Sequence, residues 1–261
     1  MKSILESESD SLEITRRHFY ESLQFPLIAV AAIWAVHFYQ IVTGFDPGEY
    51  GIMSRRLWGL RGILTGPLVH GSWGHLMSNT LPLFVLSAIS IYFYRKVAMR
   101  AFWMIYLLTG TAVWFFARPV SHIGISGVIY GLVAFIFWNG IFRRSFRSII
   151  LAGIVILLYS GMFMGVLPDQ EGMISWESHL LGSLVGIFTS FWFKGELEDD
   201  EEKNARAYAI ENDGEQQYFL PRDIFEKTKA ERLAEAEEEA RRREQQDTTF
   251  HLPFWNQDRT W

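Results

Sequence analysis

Among the polar side chains inside otherwise apolar stretches of the sequence, four stand out: His75, Asn79, Ser126 and His179. A polar group in hydrocarbon is costly, so each must be hydrogen-bonded or put to use. A serine hydroxyl is a weak nucleophile until a base takes its proton, and a neutral imidazole does this near neutral pH. Ser126 and His179 therefore suit a nucleophile and its general base. No Asp or Glu lies within the apolar stretches to complete a triad, and Glu177, two residues before His179, points to a different helix face. The expectation is a Ser/His dyad. The tetrahedral intermediate of acyl transfer also needs donors for its oxyanion. His75, Asn79 and the backbone N–H of Ser126 at a helix start are available. Taken singly, each of these residues also fits a duller role as a packing contact or an interhelical hydrogen bond.

The elements that must position them are membrane-spanning helices. A span needs roughly 20 mostly apolar residues. Six segments qualify or come close: Phe25–Val42, His75–Tyr94, Ala101–Ala117, Ile125–Phe142, Ser148–Leu167 and His179–Phe193, none containing Asp, Glu, Lys or Arg. A soluble helical protein would put charges on the outer face of each helix, and these runs have no charged face. With six spans, the second, fourth and sixth run in the same direction. His75, Ser126 and His179 each lie in the first turn of one of them, at one level near the outer side. Asn79 shares a face with His75, as Tyr130 does with Ser126. Gly127 and Gly131, and likewise Gly182 and Gly186, are spaced Gly-x-x-x-Gly, which lets the backbones of the fourth and sixth helices approach closely.

Three motifs on these helices resemble those of the rhomboid family of intramembrane serine proteases. Gly124-Ile-Ser126-Gly127 is similar to its Gly-x-Ser-Gly, His75-Leu-Met-Ser-Asn79 to its His-x-x-x-Asn, and His179-Leu-Leu-Gly182 to its sixth-helix histidine. The resemblance covers residues 25–194 in the family's order. It implies Ser126 as nucleophile, His179 as base, His75 and Asn79 as oxyanion donors, and Tyr130 packed on the His179 ring, with Gly124 among the supporting residues. It also implies cleavage of transmembrane protein substrates in or beside their spans. Family members commonly carry an adjacent Trp-Arg pair in the first outer loop, Thr43–Gly74 here, whereas this chain has Trp58 and Arg61 three apart. A catalytically inactive relative serving as a membrane scaffold or chaperone is the alternative; such proteins lose the serine or histidine that this chain keeps.

Charge divides the chain. Residues 1–194 hold 14 Lys/Arg and 10 Asp/Glu, and residues 195–261 hold 10 and 19, so net charges of +4 and −9 make up the overall −5. The fold class expected is all-α: a polytopic six-helix rhomboid bundle with a polar, partly helical C-terminal tail. Its parts are an N-terminal segment 1–24, a membrane domain 25–194 and a charged tail 195–261, with a helix from Pro221 to about Gln246 and an aromatic end at Phe250–Trp255 and Trp261. Arg95, Lys96, Arg100, Arg143, Arg144, Arg147 and Lys194 fall on one side, which the positive-inside bias makes cytoplasmic, together with both termini. A plasma (inner) membrane location is expected. Ten Trp suit a membrane interface. With no cysteine, disulfides, thiolate metal sites and a Cys nucleophile are excluded.

Other hydrolytic classes fit less well. The histidines His70, His75, His122 and His179 raise the question of a metal, but there is no His-Glu-x-x-His, and Asp169, Glu171 and Glu177 lack ligand spacing. An aspartyl protease needs two carboxylates in the spans. A hydrolase elbow needs Gly-x-Ser-x-Gly after a strand, and the sequence reads Gly-Ile-Ser-Gly-Val at a helix start. No cofactor, metal or nucleic acid is expected; the lipid bilayer is a partner, and a partner for the tail is left open.

Overall fold

The computed structural model describes residues 2–143, 145–167, 175–199 and 201–203, and in the tail positions 228, 230–231, 233–235, 237–238 and 241–243. The chain forms two compact units, 1–203 and 204–261. In the first, the helices are α1 (Lys2–Thr43), α2 (Gly62–Thr65), α3 (Trp73–Phe93), α4 (Ala98–Phe116), α5 (Ser126–Arg143), α6 (Phe146–Tyr159) and α7 (Trp176–Phe193). Four of these, α1 from Leu12, α3, α4 and α5, are long and apolar enough to cross a membrane. The protein is an all-α polytopic membrane protein.

Its burial pattern is that of a chain solvated by lipid. Leu81 on α3 and Leu157 on α6 are 67% and 78% exposed, while Asn139, Thr189 and Ser190 are fully buried. Lipid tails offer no hydrophobic drive to associate, so such helices hold together by close packing and internal hydrogen bonds. The bundle is built on α5, which packs most extensively against α7 and then α6; α1 packs against α3, and α4 against α7. The glycine pairs explain the first contact. A Cβ on Gly182 would collide with the Gly127 carbonyl, and one on Gly186 with the Gly131 carbonyl. The two helices meet backbone to backbone.

Two spans differ from their expected extents. The first apolar run, Phe25–Val42, lies in the longer helix α1, which also takes in residues 2–24 of the N-terminal segment. The fifth apolar run, expected as one helix from Ser148 to Leu167, is α-helical only to Tyr159 and then tightens into 3-10 turns over Ser160–Val166. Tightening turns the carbonyls of Met162 and Gly165 toward α5 and α7, where they find donors.

The loop between α1 and α3 is ordered. It holds 3-10 turns at Pro47–Tyr50, Leu57–Arg61 and Gly66–Leu68, the helix α2, and a short strand β1 (Ile52–Met53) that pairs antiparallel with β2 (Ser121–His122), Ile52 opposite His122. It clasps the end of α4. Ser54 Oγ donates to the Val113 carbonyl at 2.9 Å, the Arg55 N–H to that of Trp114 at 2.9 Å, and the Arg55 guanidinium to those of Phe115 and Ala117 at 3.2 and 3.0 Å. Arg55 holds φ at 56° to do so. Arg61 instead donates to the Glu49 carbonyl at 2.7 Å and lies over the Tyr50 ring, and Trp58 is half exposed.

At the opposite end, the acidic stretch after α7 folds back on the bundle. Glu201 pairs with the buried Arg143 at 2.9 Å and accepts from Ser145 and Ser148 at the start of α6. Glu196 pairs with Arg100, and Lys96 with Asp199 at 2.8 Å. In the tail unit the described positions from 230 to 243 are helical. Thr228 and Glu231 form a reciprocal capping pair, and Arg242 reaches Glu238 at 2.8 Å. The expected helix start at Pro221 and the aromatic end at Phe250–Trp255 and Trp261 lie outside the described residues, as do Asp169 and Glu171.

Candidate active site

Ser126 is the first residue of α5, and His179 stands in the first turn of α7. The glycine contacts one turn deeper bring them together: His179 Nε2 lies 2.8 Å from Ser126 Oγ. The other ring nitrogen, Nδ1, lies 2.8 Å from the Gly165 carbonyl. A carbonyl only accepts, so Nδ1 carries the proton, Nε2 keeps its lone pair, and Ser126 is the donor between them. The orienting role that a carboxylate fills in a triad falls to a backbone oxygen here. Nothing in the residue types announced it; the one trace is glycine at 165, where a Cβ would collide with the Tyr130 hydroxyl.

Tyr130 lies flat on the imidazole, with ring centroids 4.1 Å apart and planes 9° from parallel. Its hydroxyl donates to the Met162 carbonyl at 2.7 Å. The 3-10 segment after α6 thus holds both the histidine and the ring that backs it.

His75 and Asn79 come from the first two turns of α3, and Ser72 caps that helix by accepting from the His75 N–H at 3.2 Å. Asn79 Nδ2 donates to the His75 carbonyl at 2.8 Å and keeps a second N–H. Gly124 closes the arrangement. Its φ is +96°, its N–H donates to the Gly66 carbonyl at 2.9 Å, and a Cβ would come within 2.5 Å of the His75 ring. Only glycine satisfies both the dihedral and the approach. Ser126, His179, His75, Asn79 and Tyr130 all line one cavity of about 680 Å³; Gly124 shapes its wall by seating His75.

Among the described residues no group of His, Cys, Asp and Glu is placed to hold a metal ion. His70 stacks edge-on against His75 with centroids 5.0 Å apart, and burial, then the neighbouring His75, pushes its pKa down to about 4. Burial also lowers that of His122, against the Arg118 carbonyl at 3.0 Å from Nε2. Both imidazoles are neutral at pH 7.

A family model for the Rhomboid domain matches residues 55–195, more than half of the chain. The chain is a member of the rhomboid family. Relatives of this rhomboid protein include uncharacterized proteins of Mycobacterium tuberculosis and Mycobacterium bovis, each 32% identical over 189 residues that cover 69% of this chain and 77% of theirs. A Mycobacterium leprae protein, also uncharacterized, is 32% identical over 178 residues, 63% of this chain and 68% of its own. The matched region contains every residue named above for the site, along with Arg55 of the clasp on α4.

Proposed function

We propose that this rhomboid protein is an intramembrane serine endopeptidase that cleaves transmembrane proteins in or near their spans. The observation that carries the reading is the Ser126–His179 hydrogen bond with the imidazole held in the tautomer a general base needs. Ser126 Oγ attacks the scissile carbonyl carbon as His179 Nε2 takes its proton. The imidazolium returns that proton to the leaving amine, and the acyl-enzyme is then opened by a water that His179 deprotonates. Negative charge on the carbonyl oxygen is met by the Ser126 N–H, which has no partner within the helix, and by His75 and Asn79 across the cavity. The cavity supplies what a peptide bond below the lipid surface requires, a polar room for substrate and water.

The membrane orientation follows the same reading. Arg95, Lys96, Arg100, Arg143 and Arg147 gather at the end of the bundle opposite the site, against Arg55, Arg56, Arg61 and Arg118 at the other, and this excess supports cytoplasmic termini and a site toward the outer face of the plasma membrane. In this reading substrates come through the bilayer, and a partner for the tail would be cytoplasmic.

The test is cleavage of a transmembrane substrate and labelling by a serine-directed fluorophosphonate, for the parent, Ser126→Ala and His179→Ala. Cleavage and labelling by the parent alone, insensitive to chelator, is the expected result. Equal cleavage by both variants removes the dyad, and a parent that neither cleaves nor labels leaves the inactive scaffold in its place.

A further inference from the structure

The Gly127–Gly182 contact lies within a turn of the dyad and sets how closely the backbones of α5 and α7 approach, and the 3-10 segment holds the His179 ring. His179 sits in the first turn of α7, and first turns are where helices fray. Neither contact ties that turn to the loop leading into Ser126.

Two sets of side chains cross this gap. Arg118, at the start of the loop before α5, makes two bonds to the Glu177 carboxylate, from Nε to one oxygen and from an Nη at 3.1 Å to the other. Beside it, His122 Nε2 faces the Arg118 carbonyl at 3.0 Å, so Nε2 carries the proton and Nδ1 accepts. The donor to Nδ1 is the Ser175 hydroxyl at 2.6 Å, which in turn lies 2.7 Å from the Ser178 hydroxyl. Glu177, Ser178 and His179 are consecutive, and Ser175 is the residue that opens α7.

Both sets carry a cost that packing alone would not ask for. The Glu177 side chain is only 7% exposed, and a buried carboxylate is tolerated only with a well-placed partner. Ser175 holds the position where a serine normally caps its own helix, yet its hydroxyl makes no such bond and turns to His122 instead. His122 is itself pinned, since it pairs with Ile52 of β1. The loop that delivers Ser126 is thereby braced to the first outer loop on one side and to α7 on the other.

We infer that the Arg118–Glu177 pair and the His122–Ser175–Ser178 chain form a positioning latch across the mouth of the cavity, setting how His179 meets Ser126. The inference rests on the protease reading. None of the five residues touches the reacting atoms; they act through the placement of His179.

Three variants test it: Glu177→Gln, Arg118→Gln, and the exchanged pair Arg118→Glu/Glu177→Arg. Fluorophosphonate labelling at several concentrations separates the inactivation rate constant from the apparent affinity. A displacement of the base of about 1 Å costs on the order of 100-fold in rate. The single variants are expected to lose roughly 10- to 100-fold in the rate constant with affinity held within about 3-fold, and the exchanged pair to regain about 10-fold over either. A rate constant unchanged while the melting temperature falls would mean a mere brace, and a change confined to affinity would mean that Arg118 contacts the ligand; either overturns the latch. In 15N-histidine protein in bilayers, the His179 signals, identified by their loss in His179→Ala, should shift or broaden in both single variants. This second readout needs no activity. If the parent fails to label, the protease reading falls by itself, and identical His179 signals in parent and variants would still refute the latch.

Discussion

No Cβ fits between Gly182 and the carbonyl of Gly127. The pair lies less than a turn from Ser126 and His179, so backbone contact brings the dyad, 2.8 Å apart, within reach. Gly182→Ala must push α7 away from α5, costing about 1–3 kcal/mol as overpacking and lowering phosphonate labelling of Ser126 by at least ~10-fold. Gly153, where an added Cβ meets nothing within 4 Å, is the control. Equal labelling by Gly182→Ala and Gly153→Ala would show that the glycine contact does not set the dyad.

The Tyr130 ring and its hydroxyl have separable jobs. Tyr130→Phe keeps the stacked ring and loses only the bond to the Met162 carbonyl. A single hydrogen bond contributes about 0.5–1.5 kcal/mol, so the rate should fall by roughly 2- to 10-fold. Tyr130→Ala removes the support of the imidazole face and should fall further. Steady-state cleavage of one substrate by the three proteins checks the order, and a phenylalanine variant as impaired as the alanine one contradicts it.

At the inner end, Arg143 is fully buried and Glu201 nearly so. Removing one member of such a pair strands the other, at about 3–5 kcal/mol. Burial opposes ionisation of Glu201, but the Glu198 N–H, Ser145 and Arg143 outweigh it, and its pKa stays below the ordinary value. A chain ended after Lys203 keeps this pair, and one ended after Lys194 loses it and should melt well below the first. Glu201→Gln should fall between them. Coincident melting curves for the parent and the shorter chain would deny the contact any part in stability.

His70 makes the fold sensitive to mild acid. Its folded pKa, about 4, is below the unfolded value near 6.5. Above 6.5 both states are neutral and the stability is intact; as pH falls toward 4 the unfolded chain takes up the proton first, and about 3 kcal/mol is lost by pH 4. His122 shifts in the same direction. Melting profiles of the parent and His70→Gln isolate the His70 share: the variant should be the flatter of the two between pH 6.5 and 4. Parallel profiles would rule it out.

The sequence revealed those parts of the site that residue identity carries. Serine, histidine and asparagine in charge-free runs, placed at one level by an even number of crossings, pointed to the cavity's main lining residues. The paired Gly-x-x-x-Gly steps pointed to the contact between α5 and α7. What stayed hidden is carried by backbone oxygens and by partners distant in sequence. The Met162 and Gly165 carbonyls have no residue signature. Arg55 reaches α4 across 60 positions or more, and Glu177 looked like an idle acid until Arg118 was placed opposite it. Helix ends followed the same rule. The apolar run from Phe25 did not mark where the helix of α1 starts, because glutamate, lysine and arginine are good helix formers too.

The Gly165 carbonyl gives this protein an unusual mutational fingerprint. Where a carboxylate orients the base, swapping that side chain exposes it at once. Here the orienting atom belongs to the main chain, and every substitution at 165 retains it. A saturation survey at 165 would meet an intolerant glycine whose side-chain replacements crowd Tyr130.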